Sequence, residues 1–267
     1  MTDDAPPLQL THIGGPTVLI EVGGWRILTD PTFDAPGRRY KFGWGTASTK
    51  VGAPAMSVAE VGAVDVILLT HDHHADNLDD SGRALLAGVP TVVTTRAGAG
   101  RLDGKVRGLV PGEAVTLSDG VRPPVVVTAT PCRHGPPLFR PIVGEVIGFA
   151  LTWPGQQHGA LWISGDTVLH RGVLDFADRV PVGVAVLHLG GVRFPVTGPL
   201  RYTMTANDAV RLCQRLRPEV VFPVHYEGWS HFVEGRAAIE RRLSDAPAEV
   251  RNVFRWLPIG TPTAIEA

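Results

Sequence analysis

LLTHDHHADNLDD, residues 68–80, decides how the rest of the chain is read. The apolar run VDVILL leads into it, and three histidines and four acids then fall within ten positions. A short apolar run bounded by polar residues reads as a buried strand, and polar loops at strand ends are where a rigid scaffold holds functional groups. His71 and His73, two apart, are expected to project to the same side of extended backbone and to grip one ion. A lone H-x-H is a weak signal, so the reading depends on whether other strands deliver ligands to the same edge.

Upstream, LQLTHIGG, TVLIEV and WRILTD are short apolar segments separated by Gly-Gly turns, the pattern of a β-hairpin opening the fold and ended by Asp30-Pro31. Residues 32–57 are rich in Gly, Pro and Ser without a period, as in a lid or loop insertion. Downstream, LDDSGRALLAG (78–88) reads as a helix ended by Gly88 and VPTVVTT (89–95) as a strand. VVVTATP, VIGFALTW and ALWISGD follow as strands, with a helix-like segment at 168–178, then VGVAVLHLG as a strand. TANDAVRLCQRLRP is a helix capped by Thr205, VVFPVH a strand, VEGRAAIERRLSD a helix, and NVFRWLPIG a returning strand. Mixed strands with interspersed helices predict a layered α/β or α+β fold. In that order His134 follows VVVTATPCR, Asp166 follows ALWISG and His225 follows VVFPV. Together with His71 and His73, four strand ends then carry candidate ligands, and neighbouring strand ends meet on one edge of a sheet.

With 44% hydrophobic and 19% charged residues, the 267-residue chain can bury a large core and is expected to form one domain over 1–267. A net charge of −1 speaks against nucleic acid as a partner. The start, MTDDAPPLQL, lacks the basic and apolar regions of a signal peptide, and no apolar stretch is long enough to span a bilayer, so a cytoplasmic protein without membrane insertion is expected. Two unrelated cysteines, Cys132 and Cys213, leave any metal to nitrogen and oxygen ligands, a set that suits zinc, iron, manganese or nickel.

The series THDHHADNLD, TPCRHG, ISGDT and PVHYEG, with the opening IGGPTVLIEVGGWRILTDP, resembles the metallo-β-lactamase superfamily over roughly Leu8 to Pro258. Within it the likeness is greatest to hydrolases of the ascorbate-6-phosphate lactonase and N-acyl-phosphatidylethanolamine phospholipase D kind. The resemblance implies a four-layer αββα sandwich of two mixed β-sheets flanked by helices, with one or two divalent metal ions, zinc foremost and manganese or iron as alternatives. Position by position it implies His71, His73 and His134 as ligands of a first ion, Asp166 as a bridging carboxylate and His225 as the last ligand of a second. The family pattern is H-x-H-x-D-H, whereas this chain has one residue more before the aspartate and Asn77 where the last histidine falls. Asp76 then takes the aspartate's place, Asn77 is a weaker ligand, and His74 or His188 is a replacement for the missing imidazole.

The implied activity is hydrolysis of an ester-type bond, a phosphodiester or a lactone, by a metal-activated water, with Asp76 and His225 as catalytic residues. Alternatives are a mononuclear iron oxygenase of the same fold or a non-catalytic metal- or ligand-binding member. Arg193, Tyr202, Tyr226 and His231 are candidates for contacting a small, possibly anionic substrate, and the basic and aromatic residues of 32–57 could equally serve a homo-oligomer contact. Asp30 is a candidate for orienting a ligand histidine through its other ring nitrogen. His12 also falls near the expected sheet edge.

Overall fold

The computed structural model describes residues 7–137 and 143–266. Its strands run β1 (Leu8–Gly14), β2 (Thr17–Val22), β3 (Trp25–Thr29), β4 (Arg39–Gly43), β5 (Thr46–Thr49), β6 (Val66–Leu68), β7 (Thr91–Thr95) and β8 (Val106–Leu109) in the first half. The second half contributes β9 (Ala114–Leu117), β10 (Val125–Pro131), β11 (Ile147–Thr152), β12 (Ala160–Ile163), β13 (Val182–His188), β14 (Val220–Val224) and β15 (Thr263–Ile265). One sheet has seven strands in the order β15-β1-β2-β3-β6-β7-β8 and the other six in the order β14-β13-β12-β11-β10-β9. Both are mixed: each has antiparallel strands, then parallel ones reached by crossovers.

The alternation of side chains along the strands builds the layers. Val125, Val127 and Ala129 of β10 point into the space between the sheets, where they meet Leu10, Ile20, Ile27 and Leu68 of the facing sheet. Phe149 of β11 lies in that same space, while Trp162 of the neighbouring β12 faces outward and packs 5.0 Å from Phe176 of the helix Arg171–Ala177. The helix Ala206–Leu216 covers the same outer face with Ala209, Leu212 and Cys213. It begins at a capping box in which Thr205 and Asp208 each satisfy the other's backbone N–H. On the opposite side the helices Val58–Val61 and Asp80–Leu86 pack through Val61 and Leu86 against Leu28 and Ile67. The result is the αββα sandwich, and none of the described helices is long and apolar enough to cross a membrane.

Two expectations change. The opening hairpin is a three-strand meander, because WRILT pairs with TVLIEV as well. The stretch NVFRWLPIG is not a strand: Phe254 makes an isolated bridge to Val221, and the sheet edge is closed by Thr263–Ile265 on β1. Pro258, Gly260 and Pro262 break the extended run between them.

Residues 32–57 contain the β4–β5 hairpin. It is tied down by Val51 N–H to Gly228 O and Ser230 N–H to Thr49 O, so it lies across the segment that follows β14. The buried Lys50 ammonium reaches Asp79 at 2.8 Å, and Asp79 also accepts the N–H groups of Phe33, Asp34 and Gly82. One carboxylate therefore fixes the hairpin's base and the start of the helix Asp80–Leu86 together.

Candidate metal centre

After β6 the backbone does not stay extended. It bends at Asp72 and His73 and closes a helical turn in which Asn77 and Leu78 donate to His74 O at 3.1 and 3.0 Å. The bend at Asp72 and His73 brings His71 to His74 rather than to His73. His74 Nδ1 lies 3.2 Å from His71 Nε2 and 3.1 Å from His134 Nε2. These three buried imidazoles form one possible metal-binding group. His73, expected as a ligand, is displaced from it: its ring lies against Gly144 and its Nδ1 is 3.5 Å from Asp72.

The outer ring nitrogens are held in a way that leaves lone pairs facing inward. His134 Nδ1 is 2.8 Å from Tyr202 O, to which it can only donate. His71 Nδ1 is 3.1 Å from the Thr70 hydroxyl, which itself donates to Asp30. We therefore assign the protons to both Nδ1 atoms and the lone pairs to both Nε2 atoms. Asp30 was expected to touch a ligand histidine directly, and it acts instead through Thr70. Burial drives His74 down to about 4 and, with the neighbouring His74, drives His134 down to about 3, so both rings are neutral at physiological pH.

A second group, Asp76, His225 and His231, lies alongside. Asp76 Oδ2 is 3.3 Å from His225 Nε2 and 3.0 Å from His231 Nε2, while His225 Nδ1 is 3.4 Å from Asp166 Oδ1. Asn77 is turned so that its amide nitrogen reaches toward Asp30 at 3.4 Å. His188, at the end of β13, lies 3.8 Å from Asp30 with its ring 5.5 Å from that of His225. His12 is not part of this group and bonds Gly15 O at 3.0 Å.

The fit to a cation can be tested on the polar atoms. Both oxygens of Asp166, both ring nitrogens of His188 and His225, Asp76 Oδ1, Asn77 Oδ1 and His231 Nε2 are buried without a hydrogen-bond partner. Buried polar groups are normally satisfied, and so many orphans in one place call for an ion. The carboxylates agree. Burial pushes Asp30 up to about 8, and burial together with Asp76 and Asp30 pushes Asp166 well above its usual range. Among the described residues these three acids have only histidines as ion-pair partners. Divalent cations answer that concentration of buried negative charge. Asp30 and His225 also adopt left-handed backbone, with φ of 33° and 54°, the kind of strain that gathers at functional sites.

The mouth above both groups is lined by His74, Asp76 and His134 and walled by Phe42, Phe194 and Tyr202. Tyr202 thus serves as a wall and through its carbonyl. Arg193 is exposed and borders a different groove, and Tyr226 packs 5.0 Å from Trp256 away from this mouth. Phe42 belongs to the basic and aromatic residues of 32–57 that could cover a substrate, whereas Phe194 carried no sequence signal as a site residue. His74 did carry one: counted back from Asp76, the pair His74-x-Asp76 keeps the H-x-D spacing of the pattern, and the extra residue falls before it.

Comparison with known proteins agrees with this architecture. The chain is 28% identical over 226 residues to a UPF0173 metal-dependent hydrolase of Pyrobaculum arsenaticum, covering 82% of this chain and 84% of the relative. A UPF0173 metal-dependent hydrolase of Natranaerobius thermophilus is also 28% identical, over 83% of this chain and 85% of its own length. Among solved structures, the isothiocyanate hydrolase from Delia radicum gut bacteria superposes with a TM-score of 0.79 at 21% identity, covering 97% of this chain and all (100%) of the other. The metallo hydrolase Igni18 of Ignicoccus hospitalis gives 0.72 at 20%, over 98% and 99% of the two chains. At those identities the likeness speaks for the fold. The family model described as the beta-lactamase superfamily domain matches residues 25–226, most of the chain, and to that family this protein belongs.

Proposed function

We propose that the protein is a metal-dependent hydrolase that cleaves an ester-type bond in a small uncharged substrate, a lactone in preference to a phosphodiester. The observation that carries the reading is the pair of adjacent buried ligand groups, His71–His74–His134 and Asp76–His225–His231, opening onto one mouth. A divalent ion held there would act as a Lewis acid and bring the pKa of a water close to neutrality. The chain's own residues supply the rest. Burial alone would raise the Asp76 carboxyl, but His225 and His231 outweigh it and hold it well below the usual range, so Asp76 is a carboxylate able to orient a water or take its proton. Phe42, Phe194 and Tyr202 keep bulk water from the reacting bond and offer an apolar surface to the substrate.

No arginine or lysine among the described residues lines this mouth, which disfavours a bound anion. A phosphodiester is the second reading. In its favour stands Arg133, whose Nε has no hydrogen-bond partner and which borders a neighbouring cavity of about 430 Å³ shared with His134.

The test is hydrolysis of a γ-lactone, an aryl ester and bis(p-nitrophenyl) phosphate by the purified chain, before and after chelation and on adding back zinc or manganese. Turnover should vanish with chelation, return with metal and favour the lactone or ester. Activity that survives both chelation and His134→Ala would sink the reading, and faster phosphodiester turnover would select the second.

A further inference from the structure

We propose that His231 completes a second cation site with Asp76 and His225, in place of the imidazole that Asn77 does not provide, and that the β4–β5 hairpin holds it there through Ser48. This rests on the hydrolase reading only in taking the centre to bind divalent metal.

Three observations carry the assignment. The ligand atoms of Asp76, His225 and His231 lie within 4.8 Å of one another, and all three residues are buried. That is a compact set of two imidazoles and a carboxylate, a common donor set for zinc and its neighbours. Second, His231 Nε2 is 3.0 Å from Asp76 Oδ2 and still has no hydrogen bond. The two atoms are thus close enough to share an ion, while their geometry does not make a hydrogen bond. Third, the opposite ring nitrogen is already engaged. His231 Nδ1 bonds Ser48 Oγ, which is 3.3 Å from Ser230 Oγ, itself the acceptor of Thr49 N–H. Ser48 can pass its own proton to Ser230 and accept from Nδ1, leaving a lone pair on Nε2. A metal-ligating histidine is usually oriented in this way through its other nitrogen.

Packing leaves the ring little freedom. It stacks on Phe194 at 5.4 Å and meets Phe42 edge-on at 5.7 Å. Asn77, by contrast, points its amide nitrogen at Asp30 and Thr70, and its remaining oxygen is a poorer donor to zinc-like ions than imidazole. A role for His231 in contacting substrate fits less well, because its side chain does not line the mouth above His74. The lid-like segment thereby gains a second task, since one of its serines positions a ligand of the second ion.

The experiment reads metal, not turnover. Full-length chain is stripped with chelator, reloaded with Zn²⁺ or Co²⁺, desalted and analysed for bound metal by mass spectrometry, with the Co²⁺ absorption spectrum as a second readout and circular dichroism to confirm folding. The wild type should retain two equivalents and His231→Ala one. Ser48→Ala should bind two, with the weaker affinity lowered by about 10- to 100-fold. Asn77→His in the His231→Ala background should regain the second equivalent. If His231→Ala, or His231→Gln where the alanine variant does not fold, holds as many ions as the wild type, whether that number is one or two, the assignment is overturned. A wild type that binds two ions and hydrolyses nothing removes the hydrolase reading and leaves this one standing. A hydrolytic wild type whose His231 variants keep both ions does the reverse.

Discussion

Replacing Thr70 by valine removes one oxygen from the centre and leaves its shape. The Thr70 hydroxyl lies 3.0 Å from each oxygen of Asp30 and 3.1 Å from His71 Nδ1, in a residue with no exposed surface. In Thr70→Val, Asp30 keeps the Thr70 backbone N–H at 2.7 Å, but the His71 Nδ1 proton loses its acceptor. A buried donor left unpaired costs about 1–3 kcal/mol. Losing an outer hydrogen bond to a metal-ligating histidine lowers affinity by about 10- to 100-fold, or about 1.4–2.8 kcal/mol. The first is a cost to folding and the second a cost to binding, so zinc affinity at His71–His74–His134 should fall by about 10- to 100-fold. Competition against a chromophoric chelator measures it, and Thr70→Ser, which keeps the hydroxyl, should stay within about threefold of wild type. If Thr70→Val binds zinc as tightly as wild type, the chain from Asp30 through Thr70 to His71 does not orient the ligand.

Two further predictions concern the scaffold. Lys50→Met keeps the side-chain length but leaves Asp79 buried without its cation, which costs about 3 kcal/mol. For a chain of this size that is roughly a 6–12 °C fall in Tm by calorimetry; a fall under about 2 °C would show that the three N–H groups on Asp79 suffice. Thr205→Ala removes the hydroxyl that accepts the Asp208 N–H, while the residue-205 N–H still reaches Asp208, and should cost about 1 kcal/mol, read as a shift in urea midpoint with unchanged slope.

Much of this was legible in the order of residues. Strands ending in His71, His134, Asp166 and His225 are local facts, since an apolar run followed by a polar turn must surface at a sheet edge. The cap at Thr205 is equally local. The path of the backbone at 71–74 was not, because whether a strand continues for two residues or turns depends on what packs beneath it. That choice brings His74, and not His73, beside His71 and His134. Arg193 lies on a different groove and Tyr226 against Trp256 for a related reason: proximity in sequence to a candidate ligand says little about which side of a loop a side chain takes.

The sequence by itself determined the alternation of strands and helices, the layered α/β or α+β class that follows from it, and the strand ends that carry donors, because these depend on short-range periodicity and on burial of apolar faces; the αββα order was implied only by the family resemblance. Tertiary structure alone decided which histidines converge. His231 lies 183 residues from Ser48, which holds it, and His134 lies 60 residues from His74, which it faces. Contacts of that span are set by how the two sheets and the hairpin pack, and no spacing along the chain encodes them.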